Sequence, residues 1–341
     1  MNLSPLHELP FPDSARRAYR ALRGGYRKIL ALKNRCINLL DVPVVILIYH
    51  RVTTLSSDPE MIAVSPENFR QQMHYLKQHF HLLRLDEDWP TLRKPAVIVT
   101  FDDGYADNLL EALPILEEQG VPATFFVSTD LLGTSKDFWW HRLEALLLRE
   151  GAFPSHFRLN DLRHGRSWGS ATLEQRKALY ASLCLLMRKL DPENQDHWLE
   201  QLETWAGVTG GREGSHRCLT REELQRLASS PWVTIGAHTM THTALAALNE
   251  AQQREEIFSS KRELEQIIGS EIKVFSYPFG RKCEYNRISI DLCREAGFIK
   301  VAANFPGQVH RWTDPLQLPR HLVRNWDVAT FAAELKGFWT R

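Results

Sequence analysis

The chain has 341 residues, 43% hydrophobic and 24% charged. At about 150 residues per domain, this length fits two domains or one barrel with insertions, and the composition excludes disordered, collagen-like and coiled-coil chains. Lys and Arg number 42 against 41 Asp and Glu, a formal charge of +1, so no global basic field points to nucleic acid.

The five cysteines, Cys36, Cys184, Cys218, Cys283 and Cys293, are odd in number and far apart, which fits a reducing compartment better than a disulfide framework. The start, MNLSPLHELPFPDSARR, lacks the basic head and apolar run of a signal peptide. The longest apolar run, Val42 to Tyr49, is far short of the ~20 residues that cross a bilayer. The expected location is cytoplasmic.

Residues 14–40 read as a helix rich in bases, among them Arg16, Arg20, Arg27, Lys28 and Lys33, with no acid between them. Such a helix suits peripheral contact with an anionic membrane surface, or equally a solvated helix packed on the domain. From residue 42 strands alternate with helices. Val44–Tyr49 and Ala96–Phe101 are continuous apolar runs, as fully buried strands require, and Ala123–Val127 is a third. Between the first two, Ser65 caps a helix with Pro66 at its first position; after Ala96–Phe101 comes a helix through Leu109 and Leu116, closed by Gly120. Later strands are predicted at Val233–Gly236 and Ile272–Tyr277, separated by a helix from Asn249 to Ile268 that Gly269 stops. The alternation predicts an α/β fold with a parallel, closed sheet, whose chemistry lies at the C-terminal strand ends.

About a hundred residues between Val127 and Val233 break this rhythm. No strand is legible there. Helices are predicted over Phe138–Leu148, from Thr172 (a capping box with Gln175) to Leu190, from Asp191 to Trp205, and from Thr220 (a box with Glu223) to Ala228. Residues 134–230 are therefore read as a helical insertion in a 42–341 barrel, with 1–41 as an extension. This stretch is rich in tryptophan; most should be structural, with Trp139 or Trp140 near the cleft.

Three motifs fall at predicted strand ends. Thr100-Phe101-Asp102-Asp103-Gly104-Tyr105 carries two adjacent carboxylates, which repel each other unless a cation or proton intervenes. His238-Thr239-Met240-Thr241-His242 spaces two imidazoles at i and i+4, on one face if the turn is helical. One Asp and two His leave open positions, the ligand count of a catalytic metal site, with the second Asp free as a base. Ser276-Tyr277-Pro278-Phe279-Gly280 can form a turn that aims a backbone N–H at an oxyanion. A bound cation would lower the pKa of water and polarise a substrate carbonyl.

In these motifs the chain resembles the polysaccharide deacetylase family, the carbohydrate esterases typified by chitin and nodulation-factor deacetylases, over roughly 42–133 and 231–325. Ile48-Tyr49-His50-Arg51-Val52 and the Ser-Tyr-Pro-Phe-Gly form are similar to the branch acting on exopolysaccharides and surface glycans. The resemblance implies a distorted (β/α) barrel, here with the large helical insertion. It implies Asp102 as general base, Asp103, His238 and His242 as ligands of one divalent metal (zinc first, with Co, Ni or Fe also suited), and Phe279 at the oxyanion. Tyr277, Tyr105 and His50 are expected near the substrate. The family's acid is commonly a late histidine, for which His321 is the candidate here. The family's third motif often begins with an arginine that orients the base, and Ser276 stands there. Arg320 or Arg51 is expected to replace it, with Arg320 favoured. Neighbours on a strand face opposite ways, so Arg320 and His321 are rivals for the pocket.

The expected activity is removal of an N-acetyl group from an N-acetylated sugar in bacterial glycan synthesis. A lipid-linked or nucleotide-linked precursor fits the absence of a signal peptide. O-acetyl ester or other amide hydrolysis on the same scaffold, and a non-catalytic glycan-binding module, are the alternatives. The sequence leaves the oligomeric state open.

Overall fold

The computed structural model describes residues 32–34, 36–89, 92–159, 165–208 and 216–339. Of the basic N-terminal segment, 32–34 and 36–40 are helical, and the rest of that expectation lies outside the described residues.

Buried apolar runs make the sheet. β1 (Val44–Tyr49), β5 (Ala96–Phe101) and β6 (Ala123–Val127) are buried along their whole length, as strands covered on both faces must be. Short β2 (Arg51–Val52), β3 (Ala63–Val64) and β4 (His81–Leu82) lie between β1 and β5 in the chain. After β7 (His156–Leu159) and β8 (Arg166–Gly169) come β9 (Val233–Ala237), β10 (Val274–Ser276), β11 (Lys300–Ala302) and β12 (His321–Leu322). The main sheet runs β11-β10-β9-β6-β5-β1-β12, every pairing parallel, with β4 on the free half of β5. Residues 318–323 bond on both sides: Leu318 N donates to Val301 O and Arg320 N to Phe305 O, while Val323 N donates to Ile48 O. This last segment bridges β11 to β1, so the sheet curls into a distorted barrel.

Strand alternation divides the residues into two layers. Ile46, Ile98, Phe126, Val274, Ala302 and Leu318 belong to one cluster that contains no helix residue. Their neighbours Leu47, Val99, Phe125 and Phe275 join a larger core with residues of the surrounding helices, such as Phe69, Leu116 and Ile257. The first set lines the barrel's inside, and its parity selects which residues reach the mouth.

The expected helices form where their caps predict. Ser65 accepts from Asn68 N ahead of Pro66–His79, Asn249 caps Glu250–Ile268, and Gly120 ends Leu113–Gln119 with φ of 61°. The segment 128–232 carries four helices, Trp139–Leu147, Leu173–Met187, Pro192–Ala206 and Arg221–Ala228, with both capping boxes formed. It also contains a hairpin that the sequence reading missed: β7 pairs antiparallel with β8. Each strand has only four residues, too few for alternation to stand out. Much of the segment builds its own core around Trp140, Leu183, Trp198 and Leu202, which Tyr105 of the barrel joins.

Candidate active site

The site follows from strand parity. Continuing the inward faces of β1, β5, β9, β10 and the closing segment gives His50, Asp102, His238, Ser276, Arg320 and Leu322. The outward parity takes Tyr277 and His321 away. Tyr277 is buried, stacked on Tyr285, with its hydroxyl donating to Leu316 O. His321 stacks on Phe338 at 4.0 Å and contacts Gly307 O through Nε2 at 2.9 Å. Neither lines the cleft, which corrects the expectation of Tyr277 near substrate and His321 as acid. Tyr105 is also turned away: its hydroxyl meets His141 Nε2 at 2.8 Å in the insertion's core.

Asp102, Asp103, His238, His242, His50 and Phe279 share one cleft. Asp103 Oδ1 lies 3.1 Å from His242 Nε2 and 3.6 Å from His238 Nε2. His238 Nδ1 stands 2.7 Å from Ser276 O, so Nδ1 donates to that carbonyl and Nε2 is the atom that faces Asp103. Three ligand atoms within 4.8 Å, with Asp103 Oδ1 buried and lacking a hydrogen-bond partner, fit a divalent cation. Protonation agrees. Burial pushes the Asp103 carboxyl up, but His242 and His238 carry it well below the usual range. Burial pulls the His242 imidazole down, against the opposing pull of Asp103. An anionic carboxylate and a neutral imidazole are the ligating forms.

The two histidines do not share a helical turn, as their spacing suggested. Residues 238–242 form a loop in which Thr239 (φ 61°) and His242 (φ 58°) are left-handed. Asp103 (φ 80°) and Phe279 (φ 58°) are left-handed too, so four of the five described non-glycine residues with positive φ cluster at this site. Such strain concentrates where function over-determines the backbone. Glu256 holds the loop, accepting from Met240 N, Thr241 N and Thr241 Oγ1 at 2.8, 3.0 and 2.7 Å. The Phe279 turn closes against Asn304: a Cβ on Gly280 would meet Asn304 N at 2.5 Å, so only glycine fits there.

Arg320 grips Asp102. Its Nη1 donates to Oδ1 and its Nη2 to Oδ2, both at 2.7 Å, while Nη2 also donates to Ser276 Oγ at 2.6 Å. Ser276 therefore leaves room for the arginine that its own position lacks. Burial raises the Asp102 carboxyl, but Arg320 and then His238 bring it net below the ordinary value. Arg51, the other candidate, pairs instead with Asp107 at 2.9 Å. Asp107 also accepts from Val52 N, and Asn108 donates to His50 O at 2.8 Å, which fixes the His50 backbone. The His50 Nδ1 is buried without a partner.

Aromatic rings cage His242: Phe279 at 4.7 Å, Trp140 at 4.9 Å and Phe138 at 5.5 Å, all edge-to-face. Trp140 is fixed in turn by its Nε1 donating to Tyr105 Oη at 3.2 Å. Both Trp139 and Trp140 line the cleft, as does a set the sequence reading did not single out: Glu60, Arg188, Arg281, Asn304 and Arg324. No spacing pattern marks these, because they come from loops and from the end of an insertion helix.

A second histidine group, His141, Glu144 and His216, also lies within ligand reach. There the Arg51 guanidinium contacts His216 Nδ1, and the two rings stack in parallel at 3.9 Å. His141 Nε2 is also engaged, by Tyr105 Oη at 2.8 Å.

Comparison with known proteins bears on the family and the fold. The polysaccharide deacetylase family model matches residues 90–156 and 197–301, just over half of the chain. The curated protein YxkH of Bacillus subtilis (strain 168) is 22% identical over 277 residues, spanning 78% of this chain and 66% of its own length. Among solved structures, the Streptococcus pyogenes deacetylase PplD in complex with acetate aligns with TM-score 0.55 at 18% identity, over 86% of this chain and 98% of its own. IcaB from Ammonifex degensii aligns with TM-score 0.56 at 18% identity, over 88% of this chain and 97% of its own. Among the described residues no helix is long and apolar enough to cross a membrane. With the fold and the family match in agreement, the chain belongs to the polysaccharide deacetylase family, hydrolases that deacetylate glycans.

Proposed function

We propose that this chain is a metal-dependent N-deacetylase acting on an N-acetylated sugar in bacterial glycan synthesis, with a lipid-linked or nucleotide-linked precursor as substrate. The observation that carries the reading is the juxtaposition of an Asp-His-His ligand set with a second, arginine-held carboxylate in one cleft. Asp103, His238 and His242 would hold one divalent ion, zinc first, with Co, Ni or Fe suited by the same donors. When bound, the ion supplies an activated water and polarises the acetyl carbonyl.

The chain's own residues do the rest. Asp102, kept ionised by Arg320, takes the proton from the attacking water. The turn at Phe279 presents backbone to the developing oxyanion. His50, in the cleft and with a free Nδ1, replaces His321 as the group that delivers a proton to the leaving amine. Trp139 and Trp140 offer faces to a sugar ring. Residues 134–230 act as an insertion that walls the cleft, and the basic segment within 1–41 brings the enzyme to an anionic membrane surface on the cytoplasmic side.

Mass spectrometry of products from a panel of acetylated sugars tests this. The reading expects free acetate and a free amine from an N-acetyl hexosamine derivative. Acetate released only from O-acetyl esters, or from nothing in the panel, would overturn it.

A further inference from the structure

The cleft has a cationic outer wall that the proposed reaction does not use. Beyond Asp102, neutralised by Arg320, and Asp103 among the metal ligands, its charged lining is Arg188, Arg281, Arg324 and Glu60. Three guanidiniums thus line the cleft with one carboxylate, while Glu284 lies within electrostatic reach of Arg188 and Arg281, and Asp58 within reach of Arg324. Glu60 is already engaged: it accepts from Tyr180 Oη at 3.0 Å and from Arg188 Nη2 at 3.3 Å. Arg324 donates to the carbonyls of Glu60 and Met61, which holds that loop in place.

Arg188 and Arg281 have unspent capacity. Arg188 lies over the Phe279 ring at 4.7 Å, at the proposed oxyanion turn, and its buried Nε has no partner. Arg281 follows that turn directly and is exposed. Its backbone N–H donates to Glu284 at 2.8 Å, but no hydrogen bond or ion pair holds its guanidinium among the described residues. The same Glu60, Arg188 and Arg281 also line a second cavity that runs along the insertion helix Leu173–Met187, to which Lys177 and Asp58 add one charge of each sign. The two cavities therefore meet at this wall, and the second offers space beside it for the rest of a larger substrate.

We infer that Arg188 and Arg281 form a phosphate-binding subsite, so that the substrate carries a phosphate ester one group away from its acetylated sugar. Guanidinium forks match phosphate oxygens in paired, charge-assisted hydrogen bonds. This rests on the deacetylase reading and narrows it: a neutral acetylated polymer offers these two side chains no anionic partner.

Calorimetric titration of the full chain with glucose 1-phosphate, glucuronic acid and glucose tests the subsite without catalysis. Glucose 1-phosphate is expected to bind at least roughly 10-fold more tightly than glucose, and R281Q and R188Q each to lose roughly 10-fold of that preference. R281Q alters an exposed residue, so loss of fold does not confuse the result. Equal binding of the three ligands, or a stronger preference for glucuronic acid, overturns the phosphate assignment. So does a preference that survives R188Q/R281Q and vanishes in D103N, since the phosphate then sits on the metal. Acetate release from N-acetylglucosamine 1-phosphate, followed in parallel, separates the two ideas. Its absence alongside intact phosphate binding sinks the deacetylase reading, and its presence without phosphate preference sinks only the subsite.

Discussion

Arg320 and Asp102 are 218 residues apart in sequence and joined by two parallel hydrogen bonds of 2.7 Å, with the arginine 1% exposed. The closing segment delivers this guanidinium to Asp102, and small Ser276 makes way for it. One arginine thereby sets the ionisation of the proposed base, its orientation, and part of the barrel's closure.

R320Q should therefore do two things. It leaves Asp102 buried and unpaired, at a cost of about 3–5 kcal/mol, visible as a lowered melting temperature. It also lets burial dominate the Asp102 carboxyl, whose pKa rises. The pairing lowers the folded pKa, so its stabilisation is present above the unfolded value of about 3.9 and is lost as pH falls through the folded one. The acid limb of kcat/KM in R320Q should shift to higher pH; an unshifted limb contradicts the assignment.

His50 and His321 separate cleanly. His50→Gln should keep its metal and lose roughly 10²–10⁴ in kcat, the usual worth of a positioned acid or base. His321→Gln should leave kcat within a few-fold and act on stability, because its ring packs on Phe338 outside the cleft. Steady-state kinetics with metal analysis on both variants decides; equal losses in kcat would restore His321.

Strand parity explains what was legible beforehand. The runs Val44–Tyr49 and Ala96–Phe101 mark buried strands unaided, and parity alone makes Arg320 and His321 exclusive. It also excludes Tyr277, which the motif had drawn into the site. The β7–β8 hairpin stayed hidden because four-residue strands carry too little pattern. The 238–242 loop read as a helical turn because i and i+4 spacing is shared by both, and only tertiary support from Glu256 selects the left-handed backbone. Arg188 and Arg281 were not legible, since their meaning depends on which loops meet.

Trp140 couples the insertion to the metal set by packing on His242 and bonding Tyr105. Trp140→Ala should destabilise the fold by about 3–5 kcal/mol and weaken metal affinity. Trp140→Phe should recover most of the stability. Thermal melts and metal titration check both; unchanged metal affinity in the alanine variant would show that the cage is only packing.

The His141–His216 pair should govern mild acid stability. Burial pulls His141 down to about 3 and His216 to about 4, so both stay neutral in the folded chain while the unfolded chain protonates them near 6.5. Stability should fall as pH drops from about 6.5 towards 4, the unfolded state binding more protons. Denaturant melts across this range should show a shallower fall in His216→Asn; an identical slope would assign the effect elsewhere.

The most direct test of the account measures bound metal and acetate release together in wild type, D102N and D103N. Wild type should carry about one divalent ion per chain and lose activity to a strong chelator. D102N should keep the ion and lose roughly 10²–10⁴ in rate, whereas D103N should lose the ion itself. A wild-type chain that releases acetate at full rate without metal, or a D102N variant stripped of its ion, would contradict the division of roles between the two carboxylates.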